Sequence, residues 1–168
     1  FSGDKLMGGP QAGVLAGTGA SIGRLKKNPF FRALRCDRLV MAAMQAVVES
    51  YLTSEQTPVL EMMRSSCDEL KKRAAEICDA LSGVSVKARV GEGKAQVGGG
   101  TLPRELIPSV TIDLSTDGKS AAELEALLRQ ADPPIVGYPS KKKLKLDLRT
   151  VFPAQDQILV EQIKRIVG

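Results

Sequence analysis

The hydrophobic pattern of the chain changes period near its middle. From Pro58 to Leu81 the apolar residues Val59, Met63, Cys67, Leu70, Ala74, Ile77 and Leu81 recur every three or four positions, as on one face of a helix. Pro58 opens the stretch and Gly83 lies just past it, so one helix over 58–81 is predicted. Upstream, Arg38–Tyr51 places Leu39, Ala42, Ala43, Ala46 and Val47 on one face, with Asp37 as N-cap. Residues 20–27 read as a short helix stopped by Asn28-Pro29, and glycine-bounded Gly13–Gly17 as a short buried strand.

Beyond Gly83 the period is two. Val84, Val86, Ala88 and Val90 alternate with polar residues, as do Val110, Ile112 and Leu114, and again Leu144, Leu146 and Leu148, which predicts half-buried strands. Gly91, Gly93 and Gly98-Gly99-Gly100 punctuate a loop or hairpin. Asp117-Gly118 turns the chain into a helix at 119–131, Pro133-Pro134 breaks it, and Ile135–Tyr138 reads as a short strand. Residues 154–167 close the chain as an amphipathic helix carrying Ile158, Leu159, Ile163 and Ile166. The fold class expected is α/β, with an α+β module from Val84 onward in which helices cover one face of a mostly antiparallel sheet.

Composition narrows the chemistry. The chain has no histidine, which removes Ser-His-Asp and Cys-His catalysis and histidine-ligated metals from its own residues. Acid and base work is left to Lys, Asp, Glu, Tyr or Cys. With no Trp, two Tyr and four Phe, a base-stacking platform is not expected. No stretch approaches the roughly 20 apolar residues of a membrane span. The three cysteines, Cys36, Cys67 and Cys78, lack metal-ligand spacing and read as reduced thiols of a cytoplasmic protein. A net charge of +5 leaves room for a phosphate-bearing partner. The densest basic run, Lys141-Lys142-Lys143 with Lys145, is either a solvated hairpin tip or a contact for a nucleic-acid backbone.

The opening residues carry the clearest chemistry. Ser2-Gly3-Asp4-Lys5 sets an amine three positions after a hydroxyl, followed by Gly8-Gly9-Pro10. Lysine forms a Schiff base with an aldehyde, and a serine hydroxyl with glycine amides can hold a phosphate. A tight turn with an exposed lysine produces the same four residues. Arg32 and Arg35, three apart, would present two guanidinium forks to one oxyanion if helical, or form a solvated basic turn.

The longer string Phe-Ser-Gly-Asp-Lys-Leu-Met-Gly-Gly-Pro-Gln-Ala-Gly closely resembles the cofactor-lysine segment of the bacterial selenocysteine synthases, the L-seryl-tRNA(Sec) selenium transferases. Arg24–Arg38, with its Arg-Ala-Leu-Arg-x-Asp core, Val97-Gly98-Gly99-Gly100-Thr101-Leu102-Pro103 and Leu146–Val151 are similar to the same family in the same order. The resemblance implies the C-terminal part of a type I aminotransferase-like enzyme dependent on pyridoxal 5'-phosphate. It implies that residues 1–57 end a large cofactor domain and that 58–168 form a small domain. Lys5 would anchor the cofactor, Asp4 would be its acidic neighbour, and Ser2, Gly8 and Gly9 would lie on the phosphate side. Arg32 and Arg35 would hold selenophosphate. Arg149 would face a substrate carboxylate or make a structural salt bridge, the aminoacyl ester of tRNA having no free carboxylate. Seryl-tRNA(Sec) and a homo-oligomer built from dimers are the implied partners, with neither membrane nor metal. The acid for the pyridine nitrogen and the ring-stacking residue would lie upstream, so the chain alone is expected to lack transferase activity. Two other readings remain: a related lyase acting on a small amino acid or amino-sugar phosphate, and a non-catalytic oligomerisation or tRNA-contact module.

Overall fold

The computed structural model describes residues 1–53, 57–97 and 106–168. The Gly98–Pro103 motif therefore lies outside the described residues. The chain divides into two compact units, one of Phe1–Glu61 with Val97, the other of Met62–Gln96 with residues 106–168.

The first unit holds α1 (Gly19–Lys26), α2 (Pro29–Ala33) and α3 (Arg38–Leu52), after a looped opening segment. Each helix starts at a residue able to accept from the free amides of a first turn: Thr18, Asn28 and Asp37. Asn28-Pro29, expected only to stop a helix, starts the next one, because Pro29 has no amide to leave unpaired at the first helical position. The strand expected at Gly13–Gly17 is reduced to a single bridge between Ser2 and Gly13, and Leu15–Gly17 are exposed. Phe1–Gly3 pairs only with Ala12–Val14, so the residues beyond Val14 have no ladder partner among the described residues. The expected face of α3 is also displaced. Leu39, Ala42, Ala43 and Ala46 are exposed, and the covered stripe is Val40, Met44 and Val47.

The boundary between the units falls within α4 (Pro58–Arg64), and α5 (Cys67–Ala80) follows it. One helix over 58–81 was expected. The apolar stripe does keep its phase, but Ser66 interrupts it with a capping box. Its hydroxyl accepts from the Glu69 amide at 3.2 Å, while the Glu69 carboxylate accepts from the Ser66 amide at 2.9 Å. The Ser66 amide first, and then the Ser66 hydroxyl, donate to the Glu69 carboxylate and hold it below its ordinary range.

In the second unit β1 (Val86–Gln96), β2 (Leu106–Thr116), β3 (Tyr138–Ser140) and β4 (Lys143–Asp147) form an antiparallel sheet in the order β1-β2-β4-β3. Helices α5, α6 (Ala121–Arg129) and α7 (Asp156–Val167) pack on it and on each other. The core they enclose contains Leu70, Ala74, Ile77 and Leu81 of α5, as the stripe predicted, with Val110, Ile112 and Leu114 of β2 and Leu144 and Leu146 of β4. In α7 the buried residues are Leu159, Ile163 and Val167, and Ile158, expected inside, is exposed.

Gly91 and Gly93, read as loop glycines, lie inside β1. Their reason is space: a β-carbon at Gly91 would overlap the Asp113 carboxylate, and one at Gly93 would come within 2.7 Å of Thr111 Cγ2. The polar residues of β2 face away from the helices and are nonetheless buried, namely Ser109, Thr111 and Asp113. Lys145 Nζ donates to Asp113 Oδ1 at 2.7 Å and to Thr111 Oγ1 at 3.2 Å, and Thr111 Oγ1 donates to Asp113 Oδ1 at 2.7 Å. Burial alone would raise the Asp113 pKa, but the Lys145 ammonium and the Thr111 hydroxyl outweigh it and hold the carboxyl below its ordinary 3.8.

Arg149, in the single 3-10 turn Leu148–Thr150 after β4, is 6% exposed. Its Nη1 donates to the carbonyls of Met62 and Ser65, both at 2.8 Å, and its Nη2 donates to the carbonyl of Pro108. The partners it has among the described residues are carbonyls, and no carboxylate pairs with it there. It satisfies the orphan carbonyls at the end of α4 and the carbonyl that opens the buried part of β2.

Two outcomes follow for stability. Arg149→Ala should destabilise the chain by about 3 kcal/mol, because a buried guanidinium and its carbonyl hydrogen bonds are lost together, and Arg149→Lys should recover less than half of this. Urea unfolding midpoints measure both, and an Arg149→Ala cost under about 1 kcal/mol would refute the carbonyl-clamp role. Asp113, with a lowered folded pKa, contributes stability that is complete above its ordinary 3.8 and is lost as the pH falls through the lower folded value. Unfolding free energy should therefore decline between about pH 5 and pH 2, and the decline should be shallower in Asp113→Asn.

Candidate functional site: a lysine loop seated on a helix

Lys5 stands at the tip of a closed loop. Across its base Ser2 bridges Gly13, the Gly3 amide donates to the Ala12 carbonyl at 2.8 Å, and the Val14 amide donates to the Phe1 carbonyl at 2.8 Å. Further in, the Gly9 amide donates to the Gly3 carbonyl and the Gly8 amide to the Lys5 carbonyl, both at 2.9 Å. Gly8 has φ +71°, a left-handed conformation that glycine adopts without steric cost.

The loop is seated on α3. A β-carbon on Gly3 would lie 2.7 Å from Met44 Sδ, and one on Gly9 would lie 2.9 Å from the same sulfur and 3.4 Å from Val47 Cγ2. Real carbon contacts do not close to such distances, so glycine at both positions lets the backbone rest on the helix. About two turns beyond Met44 on α3, Tyr51 donates its hydroxyl to the Leu6 carbonyl at 2.9 Å, next to the lysine. Met44 and Tyr51 were not singled out in the sequence. The available signal was their shared stripe at i and i+7, with a tyrosine hydroxyl needing an acceptor.

At the tip, Lys5 Nζ donates to Asp4 Oδ2 at 2.8 Å, and the Ser2 hydroxyl donates to Asp4 Oδ1. Both carboxylate oxygens are thus engaged. The Lys5 ammonium first, and then the Ser2 hydroxyl, hold the Asp4 carboxyl below its ordinary 3.8. The Lys5 side chain keeps 37% of its surface exposed and that of Asp4 keeps 26%. The amine is oriented yet reachable, as an aldehyde-binding lysine requires. Lys5, Asp4 and Ser2 are brought together as expected. Gly8 and Gly9 are close by, but their amides are spent on closing the loop and do not stand open for a phosphate.

Arg32 lies in α2, and Arg35 follows the cap residue Leu34, beyond the helix. They do not share a regular helical turn. Both are exposed, and neither guanidinium has a hydrogen bond or ion pair among the described residues. Arg149 belongs to the carbonyl clamp of the second unit. Cys36, Cys67 and Cys78 are free and half-buried, and burial raises the Cys78 thiol. No cluster of three or more Cys, Asp or Glu able to hold a metal occurs among the described residues, and no helix among them is long and apolar enough to cross a membrane.

The donor set at the tip fits pyridoxal phosphate at its aldehyde end, through the Lys5 amine. At the phosphate end the tip holds no free donor, since the Ser2 hydroxyl proton is given to Asp4 Oδ1.

Comparison with known proteins gives one consistent result. The sequence pattern of the L-seryl-tRNA selenium transferase (SelA) family matches residues 1–152. An L-seryl-tRNA(Sec) selenium transferase of Clostridium botulinum (strain 657 / Type Ba4) is 38% identical over 99% of the chain and 37% of its own length. That of Geobacter sulfurreducens is 36% identical over 100% of the chain and 38% of its own length. The chain thus spans little more than a third of the relatives it matches. Among solved structures, a D-glucosaminate-6-phosphate ammonia-lyase superposes with a TM-score of 0.51 at 19% identity, covering 81% of this chain and 33% of that one, a likeness of fold alone. With the lysine motif inside the matched region and identity spread over the whole length, the chain belongs to the L-seryl-tRNA selenium transferase family.

Proposed function

We propose that this chain is the part of a selenocysteine synthase that anchors pyridoxal 5'-phosphate, through Lys5, and that it serves the conversion of L-seryl-tRNA(Sec) to L-selenocysteinyl-tRNA(Sec) with selenophosphate. The first unit then ends a large cofactor domain, and the second is the small domain. The observation that carries the reading is the Ser2–Asp4–Lys5 tip, an oriented and accessible amine on a loop clamped to α3.

When bound, the cofactor supplies an electron sink that stabilises negative charge at the substrate α-carbon. The chain's own residues do the rest of what is proposed. Asp4 steadies the Lys5 ammonium and fixes the direction of Nζ, while Ser2 occupies the second carboxylate oxygen and holds Asp4 in place. As a free amine Lys5 Nζ can take a proton, and as an ammonium it can return one. Arg32 and Arg35, with unpaired guanidinium groups, receive the phosphate-like part of selenophosphate, the donor of the selenium that replaces the seryl hydroxyl. In a histidine-free chain no better proton carrier stands beside that lysine.

Incubation with pyridoxal phosphate, borohydride reduction and peptide mapping test the anchor. A single modified peptide containing Lys5, absent in Lys5→Ala, is expected. Labelling spread evenly over Lys26, Lys27 and Lys141–Lys143 would overturn the assignment. Asp4→Asn should lower the yield at Lys5 by roughly tenfold, because an amine no longer held in direction loses most of its positional advantage. An unchanged yield would remove Asp4 from the site.

A further inference from the structure

The second unit carries a cationic groove on the sheet face turned away from its helices. The cavity, of about 650 Å³, is lined by Tyr138 of β3, Lys141 of the β3–β4 turn and Lys143 of β4, over a floor of Asp113 and Lys145, with Glu92–Lys94 of β1 along one edge. The alternation of β1 sets Glu92 and Lys94 on the side of Val86 and Ala88, toward the helices. The sequence had grouped Lys145 with the exposed run. The fold separates it: its side chain is 14% exposed, and its ammonium is committed to Asp113, Thr111 and the Glu92 carbonyl. Because Lys145 already meets Asp113, Lys143 adds only a longer contact at 3.5 Å. Lys141 and Lys142 have no hydrogen bond or ion pair from their side chains among the described residues. The rim therefore keeps free positive charge, while the floor is neutralised.

The turn that supplies the rim is strained. Lys141 has φ 48° and Lys142 φ 64°, both left-handed, in a two-residue hairpin turn that ordinarily takes Asn-Gly. A β-carbon is disfavoured there, and the turn holds two consecutive lysines at that cost. Strain of this kind collects where a side chain is needed for something other than folding.

The ligand chemistry follows from the donors. Lysines are mobile point charges, and here they follow one another along a turn and the start of β4. They form no fork and no nest of amides that would enclose one tetrahedral anion. The half-exposed Tyr138 is the single aromatic ring on the lining, so bases would not be read by stacking. Such a surface suits a row of phosphodiesters. We propose that this groove holds the phosphate backbone of an RNA through sequence-independent contacts from Lys141, Lys142 and Lys143. The choice of tRNA as that RNA rests on the function proposed above, whereas the phosphate chemistry does not.

The double variant Lys141→Asn with Lys142→Gly tests the idea without endangering the fold, because it gives the turn the residues its geometry favours. Binding of labelled tRNA and of an unrelated RNA of equal length is followed by fluorescence anisotropy across a potassium chloride series. The parent chain should lose affinity steeply with salt. The double variant should melt at or above the parent's temperature and show a log–log salt slope shallower by about 1.5, with a further loss of about 0.8 on adding Lys143→Gln. Both RNAs should be affected alike. Unchanged affinity and slope in the double variant, absence of RNA binding by the parent at low salt, or displacement of RNA by low-millimolar inorganic phosphate would each overturn the proposal. Borohydride labelling of Lys5 in the same variant separates the two readings. Retained labelling with weakened RNA binding supports the groove. Dispersed labelling with normal salt behaviour sinks the anchor alone.

Discussion

A single buried guanidinium organises the second unit. Helix ends leave carbonyls without partners, and burial forbids water from supplying them. Arg149 reaches from the turn after β4 to the end of α4 and to the first buried residues of β2, and so joins three segments far apart in sequence. The sheet order depends on this, since β4 must run beside β2 for its following turn to arrive there. A lysine in the same place would offer one charge centre and could not span carbonyls on two elements. The arginine that the family resemblance suggested for substrate thus stabilises the framework.

Much of that framework could be read from the chain, and the failures share a physical cause. The α5 stripe, the Asp37 cap and the alternating strands are local signals, and the structure contains them. The break at Ser66 was missed because the hydrophobic phase continues across it, although Ser-x-x-Glu was present as a start signal. Gly91 and Gly93 looked like loop residues because their need for space comes from Asp113 and Thr111 on another strand. Lys145 looked solvated because Lys-Leu-Lys-Leu-Asp alternates, and alternation tells which face a residue takes without telling whether that face is dry.

The candidate site divides in the same way. Lys5, Asp4 and Ser2 are consecutive enough for a motif to capture them, and their hydrogen bonds are short-range. The state of the glycine amides depends on the chain returning at residues 12–14, which no short string records. Nor does the motif contain Tyr51, whose hydroxyl bonds 45 residues back in sequence and pins the backbone beside the lysine.

The seat of that loop also constrains how the sequence can vary. Gly3 and Gly9 meet one thioether, Met44, from two directions, with Val47 alongside. These are separate letters but one fitted volume. A larger residue at Gly9 requires Met44 to move or shorten, one at Gly3 meets the Pro10 carbonyl at 2.9 Å as well, and shortening Met44 alone would leave both glycines facing a gap. A change at position 44 therefore reaches the loop from outside its motif, so a lineage could lose the posture of its lysine without ever changing the lysine.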